Sequence, residues 1–235
     1  MATRQEAKEA TRARVLEAAK AQLEAVGFEQ TNIRGIAKAA GVATGTVLLH
    51  FADKRDLLHA AVFEDLERTW SEVKRAGAAQ RELRRELGAI AKAFFDYYAR
   101  RPALSRALLR ESLFAEPPWS ARFAAQIADV FGHVAVLAEQ AKARGELDPT
   151  VDTNVLGASF FSFYYFALLA WLQGGHEDPQ RLFERMLEQH LAPHSPRASR
   201  GSVEPQARAT RARAEAKSTN KTTTKTKRTT KRRTR

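Results

Sequence analysis

Residues 31–60 read TNIRGIAKAAGVATGTVLLHFADKRDLLHA and contain the local signals of two short helices joined by a tight turn. Asn32 is a preferred N-cap residue type, and it precedes apolar residues at helical spacing. Gly41 can adopt the positive φ that ends a helix and redirects the chain. Residues 44–51 fit a short second helix. The pattern predicts a helix-turn-helix, a motif whose second helix enters the DNA major groove.

The rest of the chain up to residue 194 shows helical apolar spacing, interrupted by glycine and proline residues that end helices. No segment shows the sustained alternation of a β-strand, so the sequence predicts an all-α fold. Further helices are expected at 5–26, 54–74, 81–100, 103–114, 120–144, 155–172 and 179–191.

Residues 11–63 as a whole resemble the DNA-binding domain of the TetR/AcrR family of bacterial transcriptional regulators. The matching segments are VLEAA at 15–19, GF at 27–28, IRGIAKAAGV at 33–42, GTV at 45–47 and HFADKRDLL at 50–58. The resemblance implies an N-terminal three-helix domain with the helix-turn-helix and a C-terminal helical domain. We therefore expect a DNA-binding domain at 1–54, and a domain for dimerisation and ligand binding at 55–194.

The positive charge of the chain is concentrated at its end. The net charge is +12, and residues 196–235 supply all of it with 14 Lys and Arg against two acids. The preceding residues contain 25 charges of each sign. Residues 195–235 hold too little apolar surface to offset the entropy of ordering, so we expect a disordered basic tail. Such a tail can bind DNA phosphates without regard to sequence.

The resemblance also implies which residues contact DNA. Arg34 is expected to reach phosphate or a base edge, and Gly45 lets the second helix approach the duplex closely. Thr46 can hydrogen-bond phosphate or a base, while His50 and Lys54 are placed for phosphate contacts. For each of these side chains the alternative is a local structural role.

Three other candidate positions, all in the predicted recognition helix, depart from the family pattern. Leu48 and Leu49 stand where a tyrosine and a polar or aromatic residue are usual, and Thr44 stands where lysine is frequent. Ala43 replaces the usual serine cap. Leucine can contact a thymine methyl but donates no hydrogen bond. We therefore expect low affinity from this surface, with the basic tail as compensation.

Residues 155–172 contain no charged side chain. Their length makes them a marginal membrane-span candidate, but a helix that is apolar all round can also be buried on both sides. We favour packing on the protein's own domain and on a second subunit, because the last two helices of the family build a dimer interface. The expected interface residues of this homodimer are Phe160, Tyr164, Leu168, Trp171, Phe183 and Leu187.

Aromatic residues are dense between residues 94 and 171. In the family this domain usually encloses an apolar ligand pocket, and the ligand changes the separation of the two DNA-reading heads. Most of the rings are expected in the core, and His133 fits a core histidine as well as a ligand contact. The candidate ligand residues are Tyr97, Trp119, Phe123 and His133, and the expected effector is a small apolar or aromatic molecule.

Catalytic signals are missing from the sequence: it has no glycine-rich phosphate loop, nucleophile elbow, metal-spaced histidine pair or cysteine. We therefore expect no enzyme, cofactor or metal site. The first residues lack an apolar run, which favours a location in the bacterial cytoplasm at the nucleoid. The predicted function is transcriptional repression at a palindromic operator, relieved by the effector. The alternative is an architectural DNA-binding protein of low specificity that depends on the tail.

Overall fold

The structure is a computed structural model, and it describes residues 3–76, 82–176 and 178–194. Within these ranges every regular element is a helix, which confirms the predicted all-α fold. The predicted disordered tail at 195–235 lies outside the described residues. The helices are α1 (Arg4–Gln30), α2 (Ile33–Ala40), α3 (Thr44–Leu48), α4 (Lys54–Ala76), α5 (Leu83–Ala99), α6 (Pro102–Ser112), α7 (Trp119–Ala143), α8 (Thr153–Leu172) and α9 (Pro179–Leu191), and a 3-10 turn follows at Ala192–His194.

The first helix departs most from its predicted bounds. It was expected to end at residue 26, whereas α1 extends to Gln30 across a kink at Gly27, where φ is 77°. The chain resumes its helical path because Phe28 is buried and the Thr31 hydroxyl donates a 2.7 Å hydrogen bond to the Gly27 carbonyl. Gly27 therefore bends the helix instead of stopping it.

The head consists of α1, α2, α3 and the first two turns of α4, packed around a small aliphatic core. The turn between α2 and α3 contains Gly41, whose φ of 66° is the positive value that favours glycine. Ala37 is buried at the α1–α2 contact, where its small side chain allows the helices to approach closely. The core residues are Val15, Leu16, Ala19, Ile36, Ala37, Ala40, Val47, Phe51, Leu57, Ala60, Ala61 and Trp119.

Helix α4 continues from the head into the body, which is the rest of α4 together with α5 to α9. Leu57 and Ala61 lie in the head core, whereas Leu58 and Val62 lie in the larger core of the body. The predicted domain boundary after residue 54 falls at the start of this continuous helix. A movement of α4 relative to α5–α9 would therefore carry the head with it.

Helix α8 lies between α7 and α9 in the body. Both α7 and α8 are long and apolar enough to cross a membrane when judged by length and composition alone. However, α8 buries Leu156, Phe160, Tyr164 and Leu168 in the body core. This packing favours the expected role of residues 155–172 as a core helix.

Candidate DNA interface and effector cavity

Local hydrogen bonds and one buried side chain set the position of α3. The Asn32 side chain accepts a 2.9 Å hydrogen bond from the Gly35 N–H and caps α2, as predicted. Ala43 precedes α3 without a side-chain cap, as its departure from the family pattern suggests. Val47 is fully buried in the head core and anchors α3. The opposite face of this five-residue helix is therefore presented to solvent.

The outer face of α3 is apolar and open. Leu49 is 84% exposed and Leu48 is 51% exposed, so two adjacent leucine side chains form an exposed apolar surface at the end of α3. Gly45 is exposed, and a Cβ added there would meet no atom within 4 Å. Thr44 and Thr46 are half-buried on the same helix. The structure thus brings five of the eight predicted DNA contacts together, and Arg34 is exposed on the neighbouring α2.

His50 follows α3 and has basic neighbours that sequence reasoning missed. Burial lowers the pKa of His50, and the charges of Lys8 and Arg12 on α1 lower it further. Arg12 lies 5.2 Å from the centroid of the Phe51 ring and also pairs with Glu64. The spacing of Lys8 and Arg12 by one helical turn could have indicated a basic stripe beside the recognition helix.

Lys54 has a structural contact in addition to its predicted DNA role. Its ammonium group donates a 2.7 Å hydrogen bond to the Phe28 carbonyl and lies 4.2 Å from the centroid of the Phe28 ring. An ammonium group has three donors, so two remain after this bond is made. Lys54 therefore fastens α4 to the end of α1, and any phosphate contact must use the remaining donors.

The body contains an apolar cavity of about 330 Å³. None of its lining residues is charged, and burial raises the pKa of the Tyr98 phenol to about 12. Gln126 lines the cavity, and its buried Nε2 has no hydrogen-bond partner among the described residues. The lining residues are Leu66, Phe94, Tyr98, Leu108, Leu109, Ser112, Leu113, Phe123, Gln126, Ile127, Val130, Phe160, Phe161, Tyr164, Tyr165 and Leu168.

The four predicted ligand residues do not form one pocket. Phe123 lines the apolar cavity, but Trp119 lies in the head core. Tyr97 lines a separate polar groove, and His133 lines a third groove, with its ring 5.2 Å from that of Trp70. Tyr97, Trp119 and His133 therefore lie outside the apolar cavity, because neighbouring positions of α5 and α7 face different sides of their helices, and their ligand role stays a prediction.

Most of the predicted dimer residues are buried within the single chain, and their place in an interface stays a prediction. Five of the six are at most 8% exposed in the single chain and belong to its own core: Phe160, Tyr164, Leu168, Phe183 and Leu187. Three of these line the apolar cavity instead, namely Phe160, Tyr164 and Leu168. Only Trp171 is partly exposed. In this conformation these five side chains offer little surface to a second subunit.

The outward face of α8 carries a different apolar set. Val155 and Phe166 are each 56% exposed, and Leu169 is 36% exposed. Their spacing of eleven and three residues places them on one helical face, together with the exposed Ala158 and Ser162. This face is the part of α8 that remains available to a second subunit.

One expectation about histidines was also wrong. His190 near the end of α9 and His194 in the 3-10 turn that follows are four residues apart, and their ring centroids are separated by 6.1 Å. Nevertheless, among the described residues no group of three or more His, Asp or Glu side chains could hold a metal ion. The pair alone gives no reason to assign a metal site.

Comparison with known proteins places this geometry in a family. The family described as "Bacterial regulatory proteins, tetR family" matches residues 15–61. The HTH-type transcriptional repressor KstR of Mycolicibacterium smegmatis is 30% identical over 169 residues, which cover 71% of this chain and 79% of KstR. The chain belongs to the TetR family. The protein is therefore a DNA-binding transcriptional regulator of this family.

Other TetR-family relatives agree with this assignment. The HTH-type transcriptional regulator TtgR of Pseudomonas putida is 27% identical over 178 residues, covering 72% of this chain and 83% of TtgR. The structure of FadR from Bacillus subtilis in complex with stearoyl-CoA aligns with a TM-score of 0.66 and 18% identity, covering 77% of this chain and 97% of FadR. This second likeness shows that the fold is shared through the body as well as the head.

Proposed function

We propose that this TetR-family protein is a homodimeric repressor that leaves a palindromic operator when a small uncharged apolar molecule fills the cavity. The observation that carries the proposal is the apolar cavity, which has no charged lining residue and lies in the same body that holds α4. A ligand that binds one conformation better than the other shifts the population towards it. The dimer then leaves the DNA if the conformation that the ligand prefers holds the two heads too far apart to bind both half-sites.

The lining of the cavity supports a particular class of effector. An uncharged wall disfavours a bare ion, because burial of an unpaired charge is costly. The free donor at Gln126 Nε2 favours a ligand with an acceptor oxygen, such as a ketone, an ester or an ether. The volume is at the lower end of the range for small-molecule pockets. FadR holds stearoyl-CoA in the same fold, which supports an acyl or similarly apolar ligand here.

The exposed face of α3 favours an operator that has thymines at the base pairs it contacts. The exposed Leu48 and Leu49 can pack on thymine methyls in the major groove. Thr44 and Thr46 add short hydrogen-bonding side chains on the same helix, and Arg34 extends the surface towards phosphate. With two-fold symmetry, these contacts predict two inverted half-sites spaced by about one helical turn or more.

Selection of bound sequences from a random duplex pool would test the proposed function. The full chain is incubated with the pool at near-physiological salt, and bound sequences are recovered over several rounds. A palindrome with thymines in each half-site is expected. Tight binding with no enriched motif would contradict the proposal. That outcome would favour the architectural alternative, which the lack of polar groups at Leu48 and Leu49 supports.

The exposed apolar face of α8 gives a prediction about dimerisation. Phe166→Glu is expected to convert the dimer to monomers, because the two-fold axis repeats each buried charge and so doubles the cost of the substitution. Sedimentation velocity over a range of protein concentrations measures the change. Val136→Glu is the matched control, since Val136 is 53% exposed on α7. A dimer that survives Phe166→Glu unchanged would place the interface elsewhere.

Deletion of residues 196–235 is expected to weaken binding to every duplex, because it removes 14 basic residues. The loss comes from fewer displaced counterions, so the dependence of affinity on salt should also become shallower. Dissociation constants measured between about 50 and 200 mM salt report both effects. A tail of the same composition in shuffled order should restore both the affinity and its dependence on salt. If truncation leaves the salt slope unchanged, the tail does not contact DNA.

Operator affinity is expected to increase as the pH falls below 7, through His50. Burial and the nearby Lys8 and Arg12 hold the pKa of His50 low in the free protein. A phosphate contact would raise that pKa, so the complex takes up a proton and gains affinity by roughly threefold per pH unit. The gain stops once the pH falls below the pKa in the free protein. His50→Gln should flatten the profile, and an unchanged slope in this variant would exclude His50.

A further inference from the structure

The turn that follows the recognition helix is held by one carboxylate on α4. Asp56 Oδ2 accepts a 2.8 Å hydrogen bond from the backbone N–H of Ala52, and the Asp56 N–H donates a 2.8 Å bond to Asp53 Oδ1. Ala52 follows Phe51, which is buried in the head core directly after α3. The geometry of residues 49–53, the recognition turn, therefore depends on where the Asp56 side chain lies.

The second oxygen of the same carboxylate is bound from the body. The indole N–H of Trp119, the first residue of α7, donates a 2.8 Å hydrogen bond to Asp56 Oδ1. Trp119 is 7% exposed and is the member of the head core that α7 contributes. One carboxylate thus joins the recognition turn to a helix that belongs to the body.

The first turn of α7 also reaches the apolar cavity. Phe123, one helical turn after Trp119, lines that cavity and packs against both the head core and the body core. Its ring centroid lies 6.2 Å from that of Trp119, 5.8 Å from that of His59 and 5.7 Å from that of Phe63. A molecule that displaces Phe123 must therefore shift the ring cluster in which Trp119 is held.

We infer that Trp119 is a positioning residue for DNA reading, which couples occupancy of the apolar cavity to the recognition turn through Asp56. This inference rests on the proposed function. When the cavity is empty, the indole N–H holds Asp56 where it caps the Ala52 N–H. When the cavity is filled, displacement of Phe123 moves the first turn of α7, and the Trp119–Asp56 bond is lengthened or lost. The recognition turn then loses one of its restraints.

Because the chain contains no cysteine, occupancy of the cavity can be imposed chemically. Ser112 lines the cavity, and Ser112→Cys in the full chain can be alkylated with N-phenylmaleimide as the probe. The duplex enriched from the random pool serves as the operator. Labelling is expected to weaken operator binding about tenfold in this parent, which is a typical coupling between two sites. With Trp119→Phe added, labelled and unlabelled proteins should differ by less than about twofold.

The chain offers a matched control with the same chemistry. Trp70 on α4 donates a 2.7 Å indole hydrogen bond to Asp129 of α7, a contact that lies within the body and does not reach Asp56. Trp70→Phe should therefore keep the tenfold effect of labelling. Asp56→Asn is a second variant in case Trp119→Phe does not fold. It can offer only one acceptor oxygen, so it should also lose the effect.

The amide resonance of Ala52 gives a readout that needs no DNA. Labelling is expected to shift this resonance in the parent and to leave it unshifted when Trp119→Phe is present. An equal loss of operator affinity on labelling with and without Trp119→Phe would overturn the inference, as would an Ala52 resonance that does not respond in the parent. If the pool yields no operator while Ala52 still responds as expected, the proposed function fails and the coupling stands.

Discussion

Gly45→Trp should reduce operator affinity by at least about 100-fold while leaving the free energy of unfolding nearly unchanged. A Cβ at Gly45 meets no atom within 4 Å, so the new side chain points into solvent and not into the head core. Replacement of a helical glycine also reduces the conformational entropy of the unfolded chain, which offsets small losses. In the complex, however, the indole would stand between α3 and the floor of the major groove. Fluorescence anisotropy with the enriched operator and thermal unfolding measure the two properties.

Gly132→Trp is the matched control for this prediction. Gly132 is exposed in the middle of α7, and a Cβ there also meets no atom within 4 Å. The same bulky side chain is therefore introduced at an equally open helical site away from the recognition helix, and operator binding should be unaffected. If Gly45→Trp binds the operator as well as Gly132→Trp does, the outer face of α3 does not enter the groove.

The helix-turn-helix could be predicted from sequence because its determinants are local. The Asn32 cap joins residues three positions apart, and the Gly41 turn depends on the conformational freedom of a single residue. The same applies to the capping bond between Asp53 and Asp56. Each of these interactions is completed within one helical turn, so the residues that form it are adjacent in the sequence.

The cavity and the outward face of α8 could not be predicted in the same way. Residues 155–172 are apolar on all sides, so periodicity does not indicate which face enters the protomer core. The structure turns Phe160 and Tyr164 inwards to the cavity and leaves Val155 and Phe166 outside. Only the arrangement of α5, α7 and α9 around α8 decides between these faces, and that arrangement is a property of the whole fold.

The role of Trp119 was missed for a related reason. Its place in an aromatic-rich region suggested a pocket residue, but its hydrogen-bond acceptor is Asp56, which lies 63 positions earlier in the chain. Lys54 behaves similarly, since its carbonyl partner is 26 positions earlier. Sequence patterns identify the residue types that can make such contacts, but tertiary packing selects the partner.

Lys20→Met is expected to destabilise the protein by about 3 kcal/mol, because it removes one partner of a largely buried ion pair. Lys20 is 4% exposed on α1, and its ammonium group lies 2.9 Å from both carboxylate oxygens of Asp65 on α4. Without it, Asp65 keeps only a 3.7 Å contact with the exposed Arg68. For a domain of this size the loss corresponds to a fall in melting temperature of roughly 6–12 °C at fixed protein concentration.

Two further variants distinguish the contribution of the ion pair to stability from that of the buried aliphatic chain of Lys20. Lys92→Met removes a lysine from an exposed pair with Asp96 and should change stability by no more than about 0.5 kcal/mol. Lys20→Met combined with Asp65→Leu removes both charges of the buried pair. Of the carboxylates that Lys20 contacts, only that of Glu17 is left, and because its side chain is 60% exposed to solvent, most of the lost stability should return. If the double variant is as unstable as Lys20→Met alone, the cost comes from lost packing between α1 and α4. In that case Lys20 contributes mainly through its aliphatic chain, and the charge of Asp65 is adequately solvated without it.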